Sequence, residues 1–121
     1  QADVDVADGD LVADGEHVEV LAPAVGEHVG DGGRIVGLTH YVFHPNLWRP
    51  EGVCYLQDLF TAPEARGQGV ARALIEAVYA AADAAGVPAV YWLTAETNHP
   101  GRMLYDRVAV KSPFIRYNRA P

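Results

Sequence analysis

Cysteine, lysine and methionine are almost absent from this sequence, since each occurs once among 121 residues. Cys54 can form no disulfide within the chain and cannot build a zinc site of the multi-cysteine type. An unpaired thiol is typical of a reducing compartment, so we expect a cytoplasmic protein. No apolar run approaches the roughly 20 residues of a membrane helix, and no basic segment followed by an apolar run indicates a secretory signal. The sequence therefore predicts no membrane partner.

Basic residues are also missing from the first quarter of the chain. Residues 1–33 contain nine Asp and Glu and no Lys or Arg, whereas residues 34–121 contain seven acidic and nine basic residues. Nucleic-acid binding needs a dense Lys and Arg footprint, so the sequence predicts none. Residues 1–15 lack aromatic residues and a clear period, and we expect a solvated or loosely attached arm there. We therefore divide the chain into an atypical acidic segment, residues 1–30, and a folded domain, residues 31–121.

Hydrophobic periodicity predicts a mixed α/β (α+β) domain. Alternating and β-branched residues indicate strands, while Val70, Leu74 and Val78 recur at the spacing of a helix. Gly86 and Pro88 mark the end of that helix. The predicted strands are 17–21, 25–29, 34–43, 53–60, 89–94 and 114–117; the predicted helices are 70–85 and the segment after Asn98; a turn is predicted at 30–33 and a loop at 44–52. The order strand, helix, strand over residues 53–94 predicts a parallel pair of strands.

A glycine-rich joint connects the strand at 53–60 to the helix at 70–85. Its sequence is Arg66-Gly-Gln-Gly-Val-Ala71. Glycines let backbone N–H groups approach a ligand, and a helix N-terminus adds free donors and the positive end of a dipole. Phosphate binding and a plain strand-to-helix turn both explain this pattern. The joint matches neither the Walker loop nor the dinucleotide-binding fingerprint.

Two blocks of sequence resemble the GNAT superfamily of N-acetyltransferases. The family pattern Arg/Gln-x-x-Gly-x-Gly/Ala is matched by Arg66, Gly69 and Ala71, after the strand Leu56-Gln-Asp-Leu-Phe60. The second block, Asn98-His-Pro-Gly-Arg-Met-Leu-Tyr105, is similar to the family's Asn-x-x-Ala-x-x-Leu-Tyr. The resemblance covers residues 34–117, and the strand block is nearest to the diamine acetyltransferase branch. The chain departs from the family in lacking an amphipathic helix pair near its start and the usual Gly-Phe after Tyr105.

The resemblance implies a fold, a co-substrate and a set of site residues. The fold is a mixed, mostly antiparallel sheet with a V-shaped splay between two central parallel strands, flanked by helices. The co-substrate is acetyl-CoA, with its pantetheine arm beside a free strand edge and its pyrophosphate at the helix start. The residues implied to bind it are Leu59, Phe60, Thr61, Arg66, Gly67, Gln68, Gly69, Val70, Ala71, Arg72, Asn98 and Gly101. Tyr105 corresponds to the tyrosine that protonates the leaving thiolate, although a core tyrosine on an amphipathic helix has the same pattern.

Three polar residues are candidates for the acceptor side: Gln57, Asp58 and Glu96. Gln57 and Asp58 interrupt an apolar strand, where polar groups cost free energy unless they are paired or used. In the diamine branch a glutamate base stands where this chain has Gln57, and an amide cannot take a proton. Asp58, Glu96 or a bound water is then the base, unless Gln57 and Asp58 are structural residues.

The resemblance favours an N-acetyltransferase that moves the acetyl group of acetyl-CoA to a primary amine by direct attack. The alternative is an incomplete or non-catalytic domain that binds CoA but lacks a formed acceptor pocket. An unrelated phosphate-binding module is a third hypothesis, which requires the second block to be chance. The partner is a small-molecule amine, no metal is expected, and the resemblance leaves a homodimer open.

Overall fold

A five-stranded sheet with two helices makes up the protein in the computed structural model, which describes residues 7–11, 17–23 and 34–121. The strands are β1 (Ala7–Leu11), β2 (His17–Pro23), β3 (Ile35–Asn46), β4 (Arg49–Thr61) and β5 (Val90–Tyr91), and the helices are α1 (Val70–Ala84) and α2 (His99–Val108). The strands lie in the order β1-β2-β3-β4-β5. The first three pairs are antiparallel and β4 pairs with β5 in parallel. The predicted mixed, mostly antiparallel fold is confirmed.

The hydrophobic core lies between α1 and one face of the sheet. Leu74, Ile75 and Val78 are fully buried, because residues three and four apart share one side of a helix. They pack with residues that alternate along the central strands, namely Val20, Ala22, Tyr41, Cys54 and Leu56. Gly37 of β3 permits the close approach of the helix, since a Cβ there would lie 2.5 Å from Cγ1 of Val70.

Helix α2 lies beside α1. The hydroxyl of Tyr79 on α1 donates to the carbonyl of Val108 at 2.8 Å. The ring of Trp92, which follows β5, lies 6.3 Å from the ring of Tyr79 and 5.5 Å from that of Tyr105. The helix begins at Asn98, whose side chain accepts from the N–H of Gly101 at 3.3 Å. These contacts fix Tyr105 next to the end of β5.

The loop predicted at residues 44–52 is wrong, because β3 and β4 continue through most of it as one long hairpin. Asn46 pairs with Arg49, and the side chain of Asn46 accepts from the N–H of Trp48 at 2.8 Å to close the turn. Pro45 falls in a register shift of the ladder, where its missing N–H is not needed. Proline therefore marked an irregularity within the hairpin rather than its end.

Three further strand assignments differ from the sequence analysis. β1 was not predicted, and it pairs with β2, so residues 7–11 belong to the sheet. The strand predicted at 89–94 is reduced to Val90–Tyr91, because β4 and β5 diverge after that point. The strand predicted at 114–117 is wrong: that segment is exposed and pairs with no strand. Apolar alternation creates a strand only where a sheet edge is available to pair with it.

Two predictions lie outside the described residues. These are the strand at 25–29 and the turn at 30–33. The proposed boundary between residues 30 and 31 also lies there, so the division into two segments stays a prediction. The helix at 70–85 and the helix after Asn98 are confirmed.

Candidate active site

A cleft opens where the two parallel strands separate. β4 and β5 pair only at Cys54 with Val90 and at Tyr55 with Tyr91. Beyond these pairs β4 continues to Thr61 and bonds with β3 alone. Its other edge from Leu56 onward is therefore left without a strand, as the resemblance implied.

The cleft has a volume of about 750 Å³ and lies between the end of β4, the start of α1 and the first turns of α2. It is lined by eleven of the twelve residues predicted to bind the co-substrate: Leu59, Phe60, Thr61, Arg66, Gly67, Gly69, Val70, Ala71, Arg72, Asn98 and Gly101. Gln68 is exposed and does not line it. The fold thus brings two distant sequence blocks to opposite walls of one cleft.

The start of α1 has the geometry of an anion-binding site. Gly69 is the N-cap with a φ of 82°, and no side chain caps the helix. Because the first N–H groups of a helix have no partner inside it, those of the first turn of α1 remain available to a ligand. Gly67 has a φ of 80°, and no atom lies within 4 Å of where its Cβ would be. Arg72 lies in the same turn and is bonded to Glu76 at 2.9 Å.

Thr61 supplies an unsatisfied polar group in the wall of the cleft. Its hydroxyl oxygen is buried and has no hydrogen-bond partner among the described residues. Such an atom costs about 1–3 kcal/mol unless a ligand or water satisfies it. The end of β4 is therefore suited to a ligand that carries hydrogen-bonding groups, as the amides of a pantetheine arm do.

Tyr105 stands at the junction of this cleft with a second, smaller cavity. It lines both of them, together with Leu59 and Asn98. Burial raises the pKa of Tyr105 above its ordinary value, so the phenol keeps its proton at neutral pH. No described residue hydrogen-bonds to its hydroxyl. A protonated, unengaged phenol can donate a proton to a group bound in the cleft.

The smaller cavity has a volume of about 180 Å³ and reaches the acceptor-side candidates on β4. Gln57 and Asp58 line it opposite Ile75 of α1, Trp92 and Tyr105. Gln57 is the extra residue of a bulge, because Asp58 pairs with His40 and Leu56 with the next residue, Tyr41. A bulge redirects side chains and recurs beside active sites.

Glu96 stands apart from both cavities. It does not line either one, and its side chain is exposed. Its carbonyl oxygen accepts from Nη1 of Arg102 at 2.7 Å, which ties the preceding loop to α2. Of the three acceptor-side candidates, the structure brings Gln57 and Asp58 to the cavity and leaves Glu96 outside.

Sequence reasoning missed an ionic row that crosses three strands. Nδ1 of His40 lies 2.7 Å from Oδ1 of Asp58, and Nε2 lies 2.7 Å from Oε2 of Glu19. Burial lowers the pKa of His40, but hydrogen bonds and charges from Asp58 and Glu19 outweigh it and raise the pKa above its usual value. The alternation of β2 and β3 indicates which residues of each strand share a face with Glu19 or with His40. Only the register between the two strands shows that these residues are neighbours.

Two other groups have chemistry that the cleft does not use. Burial raises the pKa of the Cys54 thiol to about 11, which makes it an unreactive core residue. His44 bonds through Nε2 to the hydroxyl of Tyr91 at 2.7 Å.

In the described parts of the chain, no group of three or more His, Cys, Asp or Glu side chains could hold a metal ion. None of the described helices is long and apolar enough to cross a membrane.

The splayed sheet and the cleft at the start of α1 define an acetyltransferase architecture. Comparison with known proteins identifies the family. The model of the acetyltransferase (GNAT) family matches residues 10–109. The chain belongs to this family.

One curated relative is the D-amino-acid N-acetyltransferase HPA3 of Saccharomyces cerevisiae. It is 45% identical over 87 residues, which cover 72% of this chain and 54% of the yeast protein. The chain thus spans about half the length of that relative.

Solved structures agree on the fold. The ribosomal-protein-alanine N-acetyltransferase of Brucella melitensis biovar Abortus 2308 has a TM-score of 0.79 at 17% identity, covering 98% of this chain and 99% of its own. The protein AAC(6')-Iy, solved in complex with the bisubstrate analogue CoA-S-monomethyl-acetylneamine, has a TM-score of 0.71 at 19% identity, with 88% of this chain and 70% of its own covered. At these identities the likeness shows the fold alone.

Proposed function

We propose that the chain is an acetyl-CoA-dependent N-acetyltransferase whose acceptor is a primary amine. The observation that carries this proposal is the junction at Tyr105. One wall of the large cleft is a helix N-terminus suited to phosphate, and Tyr105 also lines a second cavity, which Gln57 and Asp58 reach. Two substrates can then meet at one phenol. Family membership supports the same reaction.

The residues of the cleft fit a CoA thioester. The N–H groups at the start of α1, with Arg66 and Arg72 nearby, would bind its phosphates. The free edge at Leu59, Phe60 and Thr61 would bond the pantetheine arm as a peptide bonds to a sheet edge, and the buried hydroxyl of Thr61 would gain a partner. Acetyl-CoA supplies an activated acyl group when it is bound.

Tyr105 is the proposed general acid. Its phenol is protonated at neutral pH and has no competing hydrogen bond among the described residues. It would donate its proton to the thiolate that leaves when the amine attacks the carbonyl carbon. Holding both substrates in adjoining cavities removes much of the entropic barrier to this attack.

The acceptor class to test first is the D-amino acids, because the yeast relative is named for them. Polyamines, amino sugars and protein amino termini are further classes of primary amine. The decisive assay measures thiol release from acetyl-CoA with each class in turn. Turnover with at least one amine supports the proposal. Binding of CoA, measured by calorimetry, without turnover of any amine contradicts it.

That second result defines the competing function, a domain that binds CoA without acetylating an amine. One observation favours it: Gln57 stands where the diamine branch has a glutamate base. Weak or absent turnover at full CoA affinity is what this hypothesis predicts.

A cytoplasmic location and a homodimer are also part of the proposal. The single buried cysteine, which is inert, suits a reducing compartment. Exposed apolar side chains at Phe114, Ile115 and Tyr117 offer a surface for a second copy. Light scattering at several protein concentrations tests the dimer, and a fluorescent fusion tests the location.

A further inference from the structure

Glu19, His40 and Asp58 form one continuous row across β2, β3 and β4. The strand register places Glu19 opposite His40 and His40 opposite Asp58. By strand alternation this row lies on the face of the sheet opposite the buried Val20 and Thr39, which face α1. His17 lies two register positions away on the same face, paired with Val42.

The imidazole of His40 is held from both sides by carboxylates. Each ring nitrogen has a carboxylate oxygen 2.7 Å away, and the backbone N–H of His40 also donates to Oδ1 of Asp58 at 3.2 Å. Only the imidazolium can donate from both nitrogens at once. With both carboxylates charged, the three side chains carry a net charge of −1 when His40 is protonated and −2 when it is not.

Asp58 connects this row to the reaction cavity. Asp58 is one of the residues that line the cavity that Tyr105 also lines. Its backbone is fixed by the hydroxyl of Thr39, which donates to the Asp58 carbonyl at 2.6 Å. Oδ1 bonds to His40, whereas Oδ2 has no hydrogen bond to a described residue. One oxygen is thus held by the row, and the other is left without a partner among the described residues.

We propose that Asp58 accepts the proton of the attacking amine and that His40 and Glu19 are positioning residues that hold Asp58 and share that proton. This inference rests on the proposed acetyl transfer. The amine nitrogen bonds to the acetyl carbon and the bond from that carbon to the CoA sulfur breaks. One proton passes from nitrogen to Asp58 and another from Tyr105 to sulfur, and exchange of one proton with water restores both groups.

The row has a specific pH dependence. At low pH it holds the imidazolium and has little capacity for a further proton. As the pH rises through the raised pKa of His40, the row loses one proton and becomes a better acceptor. The turnover number should therefore increase with pH, with a midpoint above about 6.5, the ordinary value for histidine. Glu19 and Asp58 are the charged groups that contact His40 from the neighbouring strands.

The experiment measures kcat and KM against pH for the full chain with the best amine of the panel. Asp58→Asn should lower kcat on the order of 10²-fold or more. Glu19→Gln keeps an acceptor beside His40 but removes one negative charge, so the midpoint should move to lower pH. His40→Gln should abolish that midpoint. KM for acetyl-CoA should change less than about twofold in all three variants, because none of these side chains lines the large cleft.

His44→Gln is the matched control. His44 lies on the same strand, but its ring bonds to Tyr91 and to the carbonyl of Pro45 rather than to carboxylates. It should leave kcat and the midpoint unchanged. CoA binding and a thermal melt establish that each variant is folded, and Glu19→Gln remains informative if His40→Gln does not fold.

The two hypotheses fail in different ways. If the wild-type chain binds CoA and turns over no amine, the proposed acetyl transfer fails and the role of Asp58 fails with it. If the wild-type chain is active and the midpoint is the same in Glu19→Gln, His40→Gln and His44→Gln, only the role of the row is overturned. If the row has only a structural role, these substitutions should lower the melting temperature and leave the midpoint of the pH profile unchanged.

Discussion

The large cleft and the smaller cavity, which are the two sides of the site, differ in the groups that they offer to a ligand. The large cleft contains three backbone features: a free strand edge, an uncapped helix start and glycines with positive φ. The smaller cavity is lined by residues with ionisable side chains, Asp58 and Tyr105 among them. Backbone groups remain when side chains change, so the first side should respond to geometry and the second to single functional groups.

The largest expected effect is on the side-chain half. Tyr105→Phe keeps the ring beside Trp92 and removes only the hydroxyl. Because general-acid catalysis contributes about 10²–10⁴-fold, kcat should fall by that factor. CoA affinity and the melting temperature should barely change, since no described residue bonds to the hydroxyl. Turnover and a melt on one preparation decide this, and undiminished turnover would refute the role of Tyr105.

The next effect concerns how the backbone half is held in place. Gly37→Ala would put a Cβ 2.5 Å from Cγ1 of Val70 and 3.2 Å from the carbonyl oxygen of Phe60. The start of α1 must then move away from β3, at a cost of about 1–3 kcal/mol in the free energy of unfolding. Urea denaturation measures this cost, and calorimetry should detect weaker CoA binding in the folded fraction. An unchanged midpoint of denaturation would show that the helix start tolerates displacement.

A smaller effect is expected at two glycines with positive φ, and comparing them separates a loss of CoA binding from backbone strain. Gly69→Ala and Gly86→Ala each place a Cβ at positive φ, 82° and 74°, which costs roughly 1–2 kcal/mol of stability. Gly69 precedes α1 in the cleft, whereas Gly86 follows the other end of α1. Only Gly69→Ala should weaken CoA binding, by about tenfold or more, in a calorimetric titration. Equal affinity in the two variants would contradict a phosphate site at the helix start.

The smallest expected effect is on the stability of the fold, through the protonation of His40. The folded pKa of His40 is raised above its unfolded value near 6.5. Its protonation therefore stabilises the fold fully below about pH 6.5, and that contribution is lost as the pH rises through the folded pKa. The difference in melting temperature between wild type and His40→Gln should shrink from pH 6 to pH 9. A difference that stays constant over this range would indicate that the carboxylates do not hold the proton.

The linear order of residues was sufficient for the family and for most of the large cleft. Arg66, Gly69 and Ala71 form a contiguous motif, and a helix start after a strand creates the same free N–H groups in any sequence. The period of Val70, Leu74 and Val78 likewise defined α1 and its buried side. Local chemistry determines these features, so they could be predicted before any tertiary contact was known.

Features that depend on strand pairing could not be predicted in this way. Phe114 to Tyr117 has the composition of a strand but pairs with no described strand, and Pro45 lies within β3 although a loop was predicted there. The bulge at Gln57 sets which polar residue of β4 pairs with His40, and a bulge leaves no mark in the local pattern.

The sequence by itself therefore determined the family, the main helix and the glycine-rich joint, because each depends on residues within one or two turns of each other. Only the tertiary structure decided that Glu19, His40 and Asp58 are neighbours and that Glu96 is not part of the cavity. Residues 19, 40 and 58 are far apart in the chain, and a shift of one position in either strand pair would place them on opposite faces of the sheet.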